Sequence, residues 1–360
     1  MIDALLAAPL PIPHRPGRPR LPGLSAIVLA AGEGRRLRPL TDDVAKPLAP
    51  VLNIPLLYWN LSLLRPLTDH LAVNARHLGG QLTEASRQLA RRYGTTVDVV
   101  REAAPSGPAG GMLAARQALP DGTDHVVVSG DALVGADYWD LVASHRAADA
   151  DLTIAAKRVA DPSRFGVLVL DGENIVALRE KPADAPPGSL VSCGVYVISD
   201  RAARLLRPVP GALYDFKDVV PELLAGGMRV RAQIQSGHWS DIGDTAALLA
   251  ANLFALDSPL LSRAANRNVS PSGPWTQGPV KLACDLRVAG PVCLGAHARI
   301  GYGCLVERSV IGPHARIGAG SRLRNVVVLP GAEVPTGADV RDAVVTHERV
   351  IPALGETAVA

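Results

Sequence analysis

The sequence contains few cysteines, no long apolar run and little net charge, and each shortage excludes a class of protein. Its 360 residues include four cysteines, at Cys193, Cys284, Cys293 and Cys304. None of them forms a CxxC pair, and no histidine cluster accompanies them, so the spacing does not fit a structural zinc site. We therefore expect free, buried thiols in a reducing cytoplasm.

The absence of a long apolar run and the low net charge exclude two further classes of protein. No apolar run reaches the roughly 20 residues that a membrane-spanning helix needs. The net charge is only +3, and charged residues are spread along the chain, so we expect neither a membrane protein nor a nucleic-acid binder. The N-terminus lacks the order of a signal peptide, because prolines interrupt its apolar part and basic residues follow it. It predicts a disordered Pro- and Arg-rich extension over residues 1–22.

Strand-like and helix-like stretches alternate along the first 250 residues, and 48% of all residues are hydrophobic, enough for a large core. The patterns predict strands at 24–31, 96–101, 126–134, 152–157, 166–170, 191–198 and 229–234. They predict helices at 54–65, 79–94, 137–148, 199–207, 216–226 and 244–255. Such alternation indicates a Rossmann-like α/β domain with a mainly parallel sheet. Ligands of such sheets bind beyond the carboxyl ends of the strands.

The pattern changes in the last quarter of the chain. An aliphatic residue recurs every six positions, with one step of five, at Leu294, Ile300, Val306, Ile311, Ile317, Leu323 and Leu329. Glycine often follows it, and a small residue often lies four positions later. This hexapeptide repeat predicts a parallel β-helix whose glycines permit tight corners. The predicted domains are therefore 23–255, a connector at 256–290, a β-helix at 291–346 and a tail at 347–360.

The stretch LAAGEGRRLRPLTDDVAKP, residues 29–47, follows the first predicted strand. It fails the dinucleotide pattern GxGxxG, because Leu37 stands at the third glycine position, and it lacks the Gly-Lys-Ser/Thr of a P-loop. A plain basic turn does not explain glycines at a strand end, where backbone N–H groups can approach phosphate oxygens.

This stretch resembles the signature LAxGxGxRLxPLTxxxxKP of the sugar-1-phosphate nucleotidyltransferases. The matching residues are Leu29, Ala30, Gly32, Gly34, Arg36, Leu37, Pro39, Leu40, Thr41, Lys46 and Pro47. The resemblance continues, in the family's order, through EAAPSGPAGG (102–111), SGDALV (129–134), EKP (180–182), SCGVYVI (192–198) and WSDIGD (239–244). In this family a left-handed β-helix often follows the catalytic domain.

The resemblance implies transfer of a nucleotidyl group from an NTP to a sugar 1-phosphate, giving an NDP-sugar and pyrophosphate. It implies catalytic roles for Arg36, Lys46 and Asp131, and a Mg²⁺ ion on Asp131 and Asp241. The nucleotide would contact Ala30, Ala31, Gly32, Gly34, Arg35, Glu102, Gly107 and Gly130. The sugar phosphate would contact Glu180, Lys181, Ser192 and Gly194. Asn74 is expected to contact a ligand or cap a turn, and Trp239 to serve in packing.

Among the substrates of this family, the signature and the repeat favour GTP and mannose 1-phosphate, with glucose 1-phosphate and dTTP or UTP as the alternative. Three residues depart from the family pattern: Arg35 and Pro108 replace common threonines, and Ser192 replaces a frequent asparagine. These departures leave open a catalytically quiet homologue that binds a nucleotide sugar. His297 and His314 leave open an acyltransferase built on the β-helix. Because such tails commonly assemble chains, we expect a cytoplasmic homo-oligomer.

Overall fold

The computed structural model describes residues 1–9, 11, 18–209, 211–259, 261 and 274–353. The chain divides into two compact units, and neither is one continuous segment. One, called here the β-helix unit, contains the start of the chain, Glu33–Ser62 and everything from Ile242 onward. The other, called the sheet unit, contains the stretch that ends at Gly32 together with Leu63–Asp241. The domain boundaries predicted above were drawn from sequence patterns, whereas these two units are defined by compactness. The predicted boundaries therefore stay a prediction.

Helices and strands follow one another through both units. The helices of the described residues are α1 (Ile2–Leu6), α2 (Leu40–Asp43), α3 (Leu56–Leu64), α4 (Gly79–Tyr93), α5 (Gly107–Arg116), α6 (Tyr138–Ala147), α7 (Asp200–Leu205), α8 (Phe216–Ala225) and α9 (Thr245–Asp257). Short 3₁₀ turns cover Arg35–Leu37 and Lys46–Leu48. The strands up to residue 241 are β1 (Leu24–Leu29), β2 (Pro50–Val51), β3 (Ile54–Pro55), β4 (Leu71–Ala75), β5 (Asp98–Arg101), β6 (Asp124–Ser129), β7 (Ala132–Val134), β8 (Leu152–Arg158), β9 (Gly166–Asp171), β10 (Asn174–Glu180), β11 (Leu190–Ile198), β12 (Val230–Ile234) and β13 (Trp239–Asp241).

The later strands belong to the repeat region. They are β14 (Trp275–Thr276), β15 (Lys281–Leu282), β16 (Arg287–Leu294), β17 (Arg299–Ile300), β18 (Leu305–Ile311), β19 (Arg316–Ile317), β20 (Arg322–Val328), β21 (Glu333–Val334), β22 (Asp339–Val345) and β23 (Val350–Pro352).

A nine-stranded sheet, in the order β5-β4-β1-β6-β11-β8-β12-β10-β9, forms the centre of the sheet unit. Strands β5, β4, β1 and β6 are parallel, which confirms the predicted α/β class. β11 runs antiparallel between β6 and β8, and β9 pairs antiparallel with β10, so the other half is mixed. Ile27, Val127 and Ile154 lie in its core with no exposure. The carboxyl ends of β4, β1 and β6 therefore lie side by side.

Two predicted elements of the sheet unit differ from the structure. The predicted strand 126–134 is two strands, β6 and β7, because the chain turns at Gly130-Asp131. The base-contacting stretch predicted at 102–111 contains the start of a helix, α5, that the sequence did not predict. Pro108 lies in the first turn of that helix, where a missing N–H costs no hydrogen bond.

Within the predicted extension over 1–22, the residues that the structure describes include two segments with defined contacts. Residues 2–6 form α1, in which Leu5 and Leu6 are buried, and the Tyr58 hydroxyl donates a 3.1 Å hydrogen bond to the Leu6 carbonyl. In the sheet unit, the Leu21 N–H donates to the Leu67 carbonyl over 2.8 Å. Apolar burial and these bonds hold the two segments in place. Residues 10 and 12–17 lie outside the described residues.

A short hairpin fixes the segment 33–62 inside the β-helix unit. Strands β2 and β3 are joined by Leu52 and Asn53, both with left-handed φ. The Asn53 side-chain amide donates to the Ile311 carbonyl over 3.0 Å, and Asn252 of α9 accepts from the Leu52 N–H over 2.8 Å. These bonds connect the hairpin both to the repeat region and to α9.

From Trp275 onward the chain winds into the left-handed parallel β-helix that the repeat predicts. Paired residues are 18 apart at the start of β16 and β18, and 17 apart from β18 to β20 and β22, so a coil is three hexapeptides. The seven repeat aliphatics are all at most 4% exposed. The coils begin earlier than the predicted start at residue 291, because β14 and β15 lie inside the predicted connector.

Gly303, Gly320, Gly331 and Gly337 have a positive φ, in agreement with the predicted tight corners, but the glycines that directly follow the repeat aliphatics have another purpose. None of Gly295, Gly301, Gly312 and Gly318 has a positive φ. A Cβ at Gly295 would lie 2.3 Å from the Pro313 nitrogen of the next coil, and the other three are similarly crowded. Close stacking of the coils, not corner geometry, therefore requires these glycines. His297 and His314 occupy left-handed corner positions, and their ring centroids are 4.9 Å apart.

Candidate active site

The carboxyl ends of β1 and β6 meet through backbone contacts that only glycine allows. The Gly130 N–H donates a 2.8 Å hydrogen bond to the Leu29 carbonyl. A Cβ at residue 130 would lie 2.6 Å from that same oxygen. Gly130 thus brings the Gly-Asp turn beside the start of the signature, where the half-buried Ala31 and the exposed Gly32 follow.

Asn74, at the end of β4, joins the signature to the stretch 102–111. Its Oδ1 accepts a 2.6 Å hydrogen bond from the Ala30 N–H, and its amide nitrogen donates to the Glu102 carboxylate. The Ser106 hydroxyl donates to the other Glu102 oxygen over 2.6 Å. The Ala30 amide is therefore already bonded within the protein, and Asn74 links two stretches rather than capping a turn.

Two glycines of α5 leave space for this polar group. A Cβ at Gly111 would lie 2.1 Å from the Asn74 amide nitrogen and 2.8 Å from Glu102. Gly107 has a φ of +79°, and a Cβ there would lie 2.4 Å from the Tyr214 carbonyl oxygen. That carbonyl accepts the first N–H groups of α5, those of residues 109 and 110. The glycine-rich sequence is therefore required by contact with neighbouring backbone and side chains.

The signature continues into the β-helix unit as a tight turn. Gly34 has a φ of +67°, and the Thr41 hydroxyl donates a 2.8 Å hydrogen bond to its carbonyl. A Cβ at residue 34 would lie 2.9 Å from the Thr41 methyl group and 3.1 Å from the Lys46 side chain. Gly34, Thr41 and the half-buried Lys46 are thus packed together, which explains why the signature combines these residue types.

The two adjacent arginines of the signature differ in their surroundings. Arg35 is 77% exposed and forms a 2.8 Å ion pair with Glu33. Arg36 is exposed as well. An exposed guanidinium keeps its donors available for phosphate oxygens, and Arg35 would have to exchange its glutamate for such a contact.

The two predicted metal ligands lie on neighbouring strands. β7 and β13 pair antiparallel, with Asp241 opposite Ala132, and Asp131 immediately precedes Ala132. The Ser129 hydroxyl donates a 2.6 Å hydrogen bond to Asp131 Oδ1. Mg²⁺ is usually held by one or two carboxylates together with substrate phosphates and water. The donor set of Asp131 and Asp241 therefore fits Mg²⁺, although the described residues contain no cluster of three or more His, Cys, Asp or Glu side chains.

The segment that carries Asp241 is anchored at several points. Lys157 Nζ donates to the Gly237 carbonyl over 2.7 Å, and the Gly135 N–H donates to the His238 carbonyl over 2.7 Å. Trp239 packs edge-on against Phe165 and donates its indole N–H to the Cys193 carbonyl. Trp239 therefore serves in packing, as expected.

The imidazole of His238 is neutral at ordinary pH. Burial, together with the nearby Lys157 ammonium, lowers the pKa of His238 to about 4. The neutral ring forms a 2.7 Å hydrogen bond with the Ser240 hydroxyl. The neutral His238 ring therefore adds no positive charge to the segment that carries Asp241.

The predicted sugar-phosphate residues fall into two groups. Glu180 and Lys181 form a 3.0 Å ion pair, and Lys181 is 61% exposed. Ser192 and Gly194 lie in β11, where the Ser192 hydroxyl accepts a 3.2 Å hydrogen bond from the Gly194 N–H. Gly194 has a φ of +69°, and a Cβ there would lie 2.9 Å from the Ser129 Cβ. Gly194 is therefore in contact with the residue that orients Asp131.

Sequence reasoning missed two residues that hold the acidic pair in place, Ser129 and Lys157. Ser129 directly precedes the Gly-Asp turn, and this position was the available signal. Lys157 acts through a backbone carbonyl that lies far away in sequence, and no spacing reveals it. The four cysteines are free, as expected, but the expected burial holds for only three of them, because Cys284 is exposed. No helix of the described residues is long and apolar enough to cross a membrane.

Two family models match the chain. The model described as nucleotidyl transferase matches residues 25–258. A second, described as a GlmU-like C-terminal hexapeptide region, matches residues 292–357. The first covers the strands and turns that carry the acidic pair and the signature, and the second covers most of the coils.

Named relatives cover most of the chain. A glucose-1-phosphate thymidylyltransferase of Streptomyces griseus is 30% identical over 302 residues, which are 77% of this chain and 79% of that protein. A Sulfolobus acidocaldarius protein, provisionally named a mannose-1-phosphate guanyltransferase, is 30% identical over 80% of this chain and 76% of its own length. A mannose-1-phosphate guanylyltransferase of Mycobacterium tuberculosis is 32% identical over 61% of each chain.

A solved structure shares the fold. It comes from Bacillus anthracis, is provisionally named a glucose-1-phosphate thymidylyltransferase and contains sucrose. It superposes with a TM-score of 0.57 at 23% identity, covering 66% of this chain and 99% of the other.

Proposed function

This chain belongs to the nucleotidyl transferase family, and we propose that it transfers the nucleotidyl group of an NTP to a sugar 1-phosphate. The observation that carries the proposal is the pairing of β7 with β13, which places Asp241 opposite Ala132, the residue after Asp131, although the two aspartates are 110 residues apart in the chain. In the proposed reaction a phosphate oxygen of the sugar phosphate attacks the α-phosphorus of the NTP. The bond from that phosphorus to the bridging oxygen breaks, and pyrophosphate leaves with both electrons.

The protein's part in such a reaction is positioning and charge neutralisation. Asp131 and Asp241 would hold Mg²⁺, which would neutralise charge on the triphosphate. Arg36 and Lys46 would stabilise charge on the α-phosphate and the departing pyrophosphate. Glu180 and Lys181 would exchange their mutual ion pair for contacts with the sugar and its phosphate. These roles come from the family resemblance, and the exposure of Arg36 and Lys181 is compatible with them.

Glu102 supports guanine as the base. A carboxylate only accepts hydrogen bonds, and each of its oxygens has more than one lone pair. Its bonds to Asn74 and Ser106 therefore fix its position and leave acceptor capacity. The edge of guanine offers two neighbouring donors, N1–H and N2–H₂, whereas uracil and thymine offer one N–H between two carbonyl oxygens. We therefore propose GTP as the nucleotide. We propose mannose 1-phosphate as the sugar substrate from the family resemblance and from the relatives named for that substrate.

The alternative within the class is glucose 1-phosphate with dTTP or UTP, which the Streptomyces griseus relative supports. A pyrophosphate-release assay across four NTPs and several sugar 1-phosphates separates the two. We expect the highest kcat/KM with GTP and mannose 1-phosphate. No release with any pair, together with measurable NDP-sugar binding, would instead indicate the catalytically quiet homologue.

Replacing Glu102 with glutamine tests the choice of base. The amide places a donor where a carboxylate oxygen accepts, so kcat/KM for GTP relative to UTP should fall by about ten- to a hundredfold, the range expected for one lost bidentate contact of about 1–3 kcal/mol. Pro108→Thr, which restores the common family residue, is the matched control and should keep the ratio. An unchanged ratio in Glu102→Gln would remove Glu102 from base recognition.

We further propose that the chain acts in the cytoplasm as a homo-oligomer. Free thiols fit a reducing compartment. The edges of a β-helix are favourable surfaces for assembly, since an exposed edge strand presents unpaired backbone groups. Light scattering of the purified chain gives its mass in solution, and a monomer at working concentration would contradict the assembly.

A further inference from the structure

A shallow groove crosses one face of the β-helix, outside all residues assigned to the proposed reaction. The groove lies on the four-stranded sheet β15-β17-β19-β21 and has a volume of about 550 Å³. Gly301 and Gly318 belong to its lining, and so does Tyr302, which is 67% exposed. Sites for small molecules commonly have volumes of about 300–1,000 Å³, so the size suits a ligand of that class.

A row of cations forms one side of this groove. Lys281 pairs in register with Arg299, Arg299 with Arg316, and Arg316 with Glu333. Neighbouring strands of a sheet are about 4.8 Å apart, so three positive charges follow one another at that spacing. All four side chains are exposed. Glu333 forms a 2.9 Å ion pair with Arg316, which leaves an excess of positive charge in the row.

Like charges directly opposite each other destabilise a sheet. In the part of the chain that the structure describes, neither Lys281 nor Arg299 has an acidic partner within ion-pair distance. Elsewhere on the coils, Arg324 pairs with Glu307 of the neighbouring strand over 3.4 Å, and Arg341 pairs with Asp339 over 2.8 Å. The row beside the groove therefore differs from Arg324 and Arg341, each of which is paired with an acid.

We propose that this groove binds a nucleotide through its phosphates. Lys281 and Arg299 have donors for phosphate oxygens, and arginine matches phosphate geometry especially well. The exposed ring of Tyr302 offers a surface on which a base can stack. This binding site is independent of the proposed reaction and does not require it.

Cys284 provides a local probe, because it is exposed while the other three cysteines are buried. It lies just after Leu282 and Ala283, both of which line the groove. The full chain is labelled at Cys284 with an environment-sensitive fluorophore and titrated with pyrophosphate and with GDP, without divalent metal. We expect a saturable change with both anions, and Arg299→Ala should weaken both by about tenfold, as the loss of one charge-assisted bond implies.

Variants separate this site from the proposed active site and from assembly. Tyr302→Ala should weaken binding of GDP but not of pyrophosphate. Arg322→Ala, a cation on β20 outside the groove lining, should leave both affinities unchanged, and so should Lys46→Ala. A signal that survives Arg299→Ala, or one that Lys46→Ala abolishes, would overturn the proposal. A signal that depends on protein concentration and not on the anion would show an interface between copies instead.

Thermal unfolding gives a second measurement on the same variant. If the cation row is strained in the absence of an anion, Arg299→Ala should raise Tm at low ionic strength. The gain should vanish in high salt, because exposed charges are then screened. A lower Tm for Arg299→Ala at low salt would show that Arg299 stabilises the empty groove, and it would contradict the charge argument.

Discussion

Replacing Ser129 with alanine should weaken divalent metal binding while the fold is kept. The Ser129 hydroxyl donates a 2.6 Å hydrogen bond to Asp131 Oδ1. Hydrogen bonds to charged groups contribute about 1.5–3 kcal/mol, and Asp131 is half-buried, so water can replace part of the lost bond. We therefore use the lower limit of about 1.5 kcal/mol, which corresponds to about tenfold in affinity.

The assay is a Mn²⁺ titration of the full chain followed by electron paramagnetic resonance, with thermal unfolding measured in parallel. Ser240→Ala is the matched control, because this serine precedes Asp241 in β13 but its hydroxyl bonds to His238. We expect the half-saturating Mn²⁺ concentration to rise about tenfold in Ser129→Ala and to stay unchanged in Ser240→Ala. Unchanged Mn²⁺ affinity with a lower Tm in Ser129→Ala would refute the reasoning and leave Ser129 a structural role only.

Two further predictions concern the packing of the coils and the protonation of a buried histidine. Gly312→Ala should lower the unfolding free energy by about 3 kcal/mol or more, because the new Cβ would lie 2.5 Å from the Pro330 nitrogen. Gly331→Ala is the comparison: Gly331 has a φ of +74° but open space around it, so this variant should lower the unfolding free energy by only about 1–2 kcal/mol. Equal costs in denaturant titrations would contradict the stacking argument. Burial, with Arg116 adding to it, lowers the pKa of His125 to about 4 from 6.5. The unfolded chain therefore binds this proton first, and His125 alone should lower stability between about pH 6.5 and 4 by about 1.4 kcal/mol per unit, beside the loss from other buried histidines such as His238. His125→Leu should reduce the slope by that amount, since neither ring nitrogen has a partner among the described residues; an identical pH profile would show that His125 does not contribute.

The β-helix was predictable from the sequence because one aliphatic position per hexapeptide must face inward on every coil. Leu294, Ile300 and Val306 are buried for this reason. The purpose of the repeat glycines was not predictable, because it depends on the distance between coils rather than on local conformation. Gly312, for example, is constrained by the backbone of residues 328–330.

Helix α5 shows why local patterns fail near the candidate site. Pro108, Gly110 and Gly111 all have low helix propensity, so the sequence indicates a loop. Proline is nevertheless tolerated in a first turn, and Gly111 is required by contact with Asn74 and Glu102. Tertiary contacts therefore stabilise a helix that helix propensity alone does not predict.

The residues of the candidate site were likewise only partly predictable from the sequence. Asp131 and Asp241 were found from the family resemblance, and the register of β7 and β13 makes them neighbours. Their supports were not found, because Ser129 and Lys157 act through side-chain geometry and a distant carbonyl. Motifs identify residues that touch a substrate, whereas the residues that orient them require the structure.

The transfer of labelled phosphorus tests the central claim most directly. GTP labelled at the α-phosphate is incubated with mannose 1-phosphate, Mg²⁺ and the full chain, and the products are separated. The account predicts that the label enters the sugar nucleotide, and that Asp131→Asn and Asp241→Asn each slow this transfer by about 100-fold or more with Tm unchanged. Label that remains in GTP or appears only in GMP with every sugar phosphate, or near-normal transfer by either variant, would contradict it.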